Sequence, residues 1–137
     1  MIKQWKRLLL ISAFGAAIVC FAAGPQIFCC LKCGEIVKKD SRPNVSYCRS
    51  GGNHNWHVLG NAGNLVFTCL KCGFLVETSA RPSVSYCKSG GNHNWHQLGA
   101  KGHTTYGCRK CRMMVRTSAR PSVSYCKSGG NHDWIKY

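Results

Sequence analysis

Acidic residues are almost missing from this chain: Glu35, Asp40, Glu77 and Asp133 are the only four in 137 residues. None is paired with another from repeat to repeat, so catalysis by two cooperating carboxylates has nothing to work with. Long apolar runs are equally scarce. The single one, Leu8 to Ala23, holds no charge and only Ser12 as a polar break. After residue 24 no segment shows the apolar spacing of an amphipathic helix, which points away from helical architecture. Histidine is also absent directly after each Cys-x-x-Cys pair, where Gly34, Gly73 and Arg112 stand. Covalent c-type haem is thereby excluded.

Cysteine, by contrast, is plentiful at 11 residues, and most of it is periodic. Cys30, Cys33, Cys48 and His54 recur as Cys69, Cys72, Cys87 and His93, and again as Cys108, Cys111, Cys126 and His132, with a period of 39 residues. Each copy reads C-x2-C-x14-C-x5-H. Disulfide pairing inside one copy strands a sulfur, whereas a tetrahedral metal site uses all four groups. Residues 78–93 and 117–132 are identical, and residues 42–54 differ from them at two positions. Divergence carries more information than this identity. Leu70 becomes Arg109 and Gly73 becomes Arg112, yet all four ligand positions persist. A unit of this size cannot bury enough apolar surface to fold without a staple.

The N-terminus reads as an export segment. Lys3, Lys6 and Arg7 precede the apolar run of 16 residues, and Ala22, Ala23 and Gly24 supply small side chains for cleavage. Residues 1–24 are expected to form a signal peptide or an N-terminal membrane anchor, with membrane association through residues 8–23. A lipid-modified Cys20 is the third option, and the preceding Ala17-Ile18-Val19 suits it poorly. Each outcome places the remainder outside the cytoplasm: secreted, periplasmic or anchored facing out. That remainder divides into repeats at 25–61, 62–100 and 101–137.

Net charge is +15, and losing Lys3, Lys6 and Arg7 leaves +12. Three Cys3His zinc sites would each remove one further unit, leaving about +9. Residues 101–137 carry eight Lys/Arg against Asp133, which makes the third repeat the best candidate to meet an anionic surface.

Each copy reads as strand, knuckle, strand, loop, second knuckle, strand. Leu65 to Thr68 favours β structure and leads into Cys69, and Phe74-Leu75-Val76 continues after the knuckle as a hairpin. Pro82 closes that region. Val84-Ser85-Tyr86 is expected to approach Cys87 in extended form. Gly90-Gly91 permits the positive φ that returns the chain to His93. Trp95 and Leu98 can cover the site. Segments such as Leu59–Asn64 are rich in Gly and Asn and read as short flexible connections.

The C-x2-C-G halves, Cys30-Leu31-Lys32-Cys33-Gly34 and Cys69-Leu70-Lys71-Cys72-Gly73, resemble the knuckles of zinc ribbons. The C-x5-H second half departs from the C-x2-C usual there, and the third knuckle lacks its glycine, which predicts a strained or looser turn. The resemblance covers about 27 residues per repeat. It implies a small metal-stabilised all-β fold of three tandem zinc-ribbon-like units, used for binding. Zinc is the expected metal, three ions per chain, because thiolate–imidazole tetrahedra suit it. Iron is the second option. A disulfide framework is the competing scheme, since the nine repeat cysteines plus Cys29 make an even set and exported proteins favour cystine.

Other recurring residues have milder readings. Trp56, Trp95 and Trp134, with Tyr47, Tyr86 and Tyr125, are expected to form a miniature core, the alternative being an aromatic and basic binding face. His57 and His96 are replaced by Ile135 in the third copy and read as exposed strand residues rather than ligands. His103 reads as a surface residue. Arg42, Arg81 and Arg120 read as solvated, or as one edge of an array. Asn44-Val45-Ser46 matches a glycosylation sequon. The expected function is non-enzymatic: an exported zinc-binding repeat protein presenting a basic, aromatic surface to an anionic or protein partner, with nucleic acid among the candidates. The alternatives are metal buffering or storage, and thiol–disulfide exchange.

Overall fold

A computed structural model describes residues 24–137, so the expected signal or anchor lies almost wholly outside the described part. What is described is all β. Its strands are β1 (Gln26–Cys30), β2 (Ile36–Lys39), β3 (Trp56–Cys69), β4 (Leu75–Thr78), β5 (Trp95–Cys108), β6 (Met114–Thr117) and β7 (Trp134–Lys136). All pairings are antiparallel.

Each repeat is a three-stranded sheet with one construction. A strand runs into the first knuckle, a short strand leaves it as a hairpin, and the strand after the histidine returns along the other edge. In repeat one these are β1, β2 and the start of β3, with Cys30 opposite Trp56 and Cys29 opposite Ile36. The same pairing gives Cys69 opposite Trp95 and Cys108 opposite Trp134.

The repeats are not beads on flexible connections. Leu59–Asn64 lies inside β3, a single strand of 14 residues that closes repeat one and opens repeat two; β5 does the same for repeats two and three. The expected boundaries at 61/62 and 100/101 therefore fall within strands. Glycine serves close approach here rather than mobility: a Cβ on Gly63 would lie 2.3 Å from the backbone of Ser79, and one on Gly102 would lie 2.3 Å from that of Ser118. Strand pairing and packing override the loop-like composition.

Alternation along the strands gives each sheet two apolar faces. In repeat one Phe28, Cys30, Val37 and Trp56 pack with Cys33 and Cys48, on the cluster of that repeat. Ile27, Cys29 and Leu59 point the other way and join Phe67, Cys69, Val76, Cys87 and Trp95 of repeat two. Val66 and Leu98 meet Cys108, Cys111, Val115, Cys126 and Trp134 of repeat three in the same manner. Leu59 and Leu98 sit at register shifts, where the extra residue of a bulge turns a side chain inward. Leu98 does not cover the site of its own repeat, as its sequence position suggests; it covers the next one. The sheets thus stack back to front, each repeat sealing the metal site of its successor.

Candidate metal centres

The twelve predicted ligands come together in three separate groups: Cys30, Cys33, Cys48 and His54; Cys69, Cys72, Cys87 and His93; Cys108, Cys111, Cys126 and His132. Within each group the ligand atoms all lie within 4.8 Å of one another. Cys30 Sγ is 3.9 Å from Cys48 Sγ, as is Cys108 Sγ from Cys126 Sγ. His54, His93 and His132 each turn Nδ1 toward the second cysteine of the knuckle, at 3.6, 3.6 and 3.5 Å from sulfur. Tetrahedral bonds of about 2.3 Å to sulfur and 2.0–2.1 Å to nitrogen put sulfurs about 3.8 Å apart and sulfur about 3.5 Å from nitrogen. The donor set fits such an ion. A disulfide needs sulfurs about 2.05 Å apart, and all ten described cysteines are free thiols.

Local folding places each ligand. In the first knuckle Gly34 N–H and Gly73 N–H donate to the carbonyls of Cys30 and Cys69 at 2.8 Å, with φ near 74° at both glycines. Arg112 makes the same bond to Cys108 at 2.9 Å and takes φ 63°, so the third knuckle keeps its shape and is not looser. It accepts a left-handed side-chain-bearing residue instead. In the second knuckle Gly51 N–H donates to Cys48, and His54 N–H reaches back to Val45. The glycine pair curls the chain as expected, with φ 90° and 60° at Gly90 and Gly91. Tyr86 does not extend into Cys87; it takes φ 60°, as Tyr47 and Tyr125 take φ 57° and 61°.

The tryptophans are core, as expected, and also orient ligands. Trp56, Trp95 and Trp134 stack on the ligand histidines at centroid distances of 4.6, 4.6 and 4.5 Å. Their indole N–H groups donate to the carbonyls of Asn44, Ser83 and Ser122 at 2.8, 2.8 and 2.9 Å. The tyrosines do not belong to that core: Tyr47, Tyr86 and Tyr125 are 96%, 63% and 65% exposed. Arg42 and Arg120 are not merely solvated, since each donates to the carbonyl of its repeat's tryptophan at 3.0 Å.

His57 and His96 are half-buried joint residues, which corrects their reading as exposed. Their Nε2 atoms lie 3.1 and 2.9 Å from Ser83 and Ser122 Oγ of the following repeat. Their rings meet Tyr86 and Tyr125 edge-on at 5.2 Å. Burial pushes both imidazoles below their ordinary pKa. Neither belongs to a ligand group. Ile135 stands at the corresponding position in repeat three.

Sequence reasoning missed the lysine inside each knuckle. Lys32, Lys71 and Lys110 donate to the carbonyls of Gly51, Gly90 and Gly129, and also to those of Asn53, Asn92 and Asn131 at 3.0, 3.1 and 3.0 Å. They clamp the first knuckle to the second and hold a cation beside three thiols. The signal was present: Lys is the one residue between the paired cysteines that all copies keep.

Burial pushes the Cys30 thiol up, but the amides of Cys33, Asn55 and Lys32 and the His54 ring outweigh it and bring it down to about 6. Cys108 likewise falls to about 6, against burial, under the amides of Cys111, Asp133 and Lys110 and the His132 ring. The second cysteine of each knuckle moves the other way: burial and neighbouring sulfurs push Cys33 up, Cys72 up to about 12 and Cys111 to about 11. Sulfurs this close disfavour a second thiolate beside the first.

These features define a small all-β, cysteine-rich repeat protein with three metal-binding units. No family model, curated protein or solved structure matches the chain.

Proposed function

We propose that the protein is an exported, non-enzymatic zinc-binding repeat protein whose three zinc-ribbon-like units present a basic, aromatic surface to an anionic partner. The observation that carries this reading is the tetrahedral fit of the Cys3His groups, repeated beneath a surface with 16 Lys/Arg and four acids over residues 24–137. Three thiolates and an imidazole favour zinc over harder ions, and four protein ligands leave no coordination position for water. The metal then supplies folding energy and no reaction step. Export rests on the basic start and apolar run of the N-terminus.

Native mass spectrometry of the purified chain tests the metal: three zinc ions and no disulfide are expected, and a metal-free chain with joined sulfurs would overturn the reading. Binding to anionic polymers should weaken steeply as salt is raised. An affinity indifferent to salt removes the anionic partner. One observation favours a second reading, metal exchange. The ligands of site one are the least buried of the three groups, Cys33 partly and His54 at its edge, so site one should release its metal to a chelator first. Release of all three at one rate speaks against it.

A further inference from the structure

The tyrosine before each third cysteine has a conformation its packing does not explain. A left-handed backbone is cheapest for glycine, and this chain uses glycine at Gly34, Gly51, Gly52 and Gly73 for that purpose. Yet all three copies place tyrosine there. Tyr86 and Tyr125 touch the histidine of the preceding repeat. Tyr47 has no preceding repeat among the described residues and is 96% exposed. Strain retained for an exposed ring is a feature of binding surfaces.

Each tyrosine walls an open hollow, and the three hollows are nearly equal at about 570, 610 and 580 Å³. In repeat two the walls are Tyr86, Ser85, Lys88, Gly91, Asn92 and, from the knuckle of repeat one, Leu31. Repeat three copies this with Leu70 from repeat two, and repeat one has Tyr47 facing Gly52 and Asn53. Beneath the glycines lie the clamp lysines: Lys32, Lys71 and Lys110 Nζ stand 3.6, 3.7 and 3.7 Å from where a Cβ on Gly52, Gly91 and Gly130 would sit. No acid lines any of the three. Every hollow therefore offers one aromatic ring, a serine and an asparagine; those of repeats two and three add Lys88 and Lys127 to their walls, and in repeat one the nearby cation is Lys32.

We infer that these hollows form one periodic binding face for a linear acidic polysaccharide, each unit laying a sugar ring on a tyrosine and a carboxylate or sulfate by the lysines. This rests on the anionic-partner reading above and gives it a chemistry. A sugar has an apolar ring face ringed by hydroxyls, which the Tyr–Ser–Asn combination matches. A single strand of nucleic acid wants successive aromatics for successive bases, and here each repeat supplies one exposed ring at its hollow.

The test uses the zinc-loaded full chain and three labelled probes of equal length: a linear polyuronate, a neutral glucan and an oligothymidylate. Tyr47→Gly relieves a left-handed tyrosine, so it should fold at least as well as the parent. It is expected to weaken polyuronate binding roughly three- to tenfold, and Tyr47→Gly with Tyr86→Gly and Tyr125→Gly to weaken it roughly a hundredfold or more, as linked sites are lost together. Circular dichroism and zinc count report whether the triple variant stays folded, and Tyr47→Gly decides the matter if it does not. Polyuronate binding that ignores these tyrosines overturns the inference while leaving an anionic partner standing. So does tighter binding of the oligothymidylate, or binding of the neutral glucan as tight as that of the polyuronate. Failure of every anionic probe, at low salt, sinks both readings.

Discussion

Sites one and three have the same four ligand types, the same lysine clamp and the same tryptophan stacked on the histidine, yet the first is less fully covered than the third. All four ligands of site three are buried beneath Val66 and Leu98 of repeat two. In site one Cys33 is only partly buried and the His54 side chain is 9% exposed, and the residue facing His54 Nε2, at 3.8 Å, is the Glu35 carboxylate. Its counterparts are Phe74, whose ring lies 6.2 Å from that of His93 and packs toward Gly34, and Met113, which joins the apolar cluster of repeat three. Each repeat's own residues set ligand geometry, and the preceding repeat sets access. Glu35 thus gives the first repeat a polar residue where its copies carry apolar ones.

The largest break in that comparison comes from removing a ligand at the centre rather than at the end. Structural zinc supplies about 10–16 kcal/mol in small metal-dependent domains. Cys87→Ser should therefore unfold repeat two and, with it, both joints, so native mass spectrometry finds fewer than two metals held firmly and hydrogen exchange spreads over all repeats. Cys33→Ser should cost one metal and leave residues 62–137 protected. Equal damage from both substitutions would show that the stack folds as one indivisible unit.

A milder break leaves the ligands alone and removes the cover. Leu59 is 2% exposed and packs with Cys69, Cys87 and Trp95. Leu59→Ala should destabilise the first joint by about 2–5 kcal/mol and raise the alkylation rates of the buried Cys69 and Cys87. Leu98→Ala should do the same for Cys108 and Cys126. Labelling rates read residue by residue check this, and unchanged rates at Cys69 and Cys87 would refute the sealing role.

The ligand groups were legible because their spacing and count are chemical constraints that survive without tertiary knowledge. The hairpin at each first knuckle was legible too, from β-favouring runs on either side of a turn. The joints were not. Leu59–Asn64 is locally indistinguishable from a loop, and only pairing with β1 and β4 makes it strand. The exposure of Tyr47 was hidden because a left-handed aromatic residue has no sequence signature. His57 and His96 did leave a trace: Ile135 stands in their place in the third copy, which sets them apart from the ligands that every copy keeps.

Those histidines sharpen the comparison by pH. Burial lowers both below their ordinary value, so the folded protein holds them neutral. The unfolded chain takes up protons as pH falls through about 6.5, before the folded state does, so joint stability declines from there downward and is unaffected above. Ligand protonation also acts in acid, so the readout is a difference. His57→Gln should lessen the acid loss of protection at Ser83 and Leu59, whereas Ile135→Val, at the corresponding position of repeat three, should leave the pH profile as it was. Identical profiles for His57→Gln and the parent would exclude the histidine as the sensor.

The smallest effect separates strain from packing at one position in three settings. Gly34, Gly73 and Arg112 share a left-handed φ of 74°, 74° and 63°. A side chain there costs about 1–2 kcal/mol in any repeat. What differs is the neighbour: a Cβ on Gly34 would come within 3.1 Å of Phe74, while one on Gly73 would meet nothing within 4 Å. Arg112→Gly should therefore raise stability by about 1 kcal/mol. Gly73→Ala should lower it by a similar amount, and Gly34→Ala should cost more, because Phe74 must also give way. Thermal melting of the three zinc-loaded variants ranks them. If Gly34→Ala and Gly73→Ala melt alike, Phe74 yields freely and the first joint is looser than its packing implies.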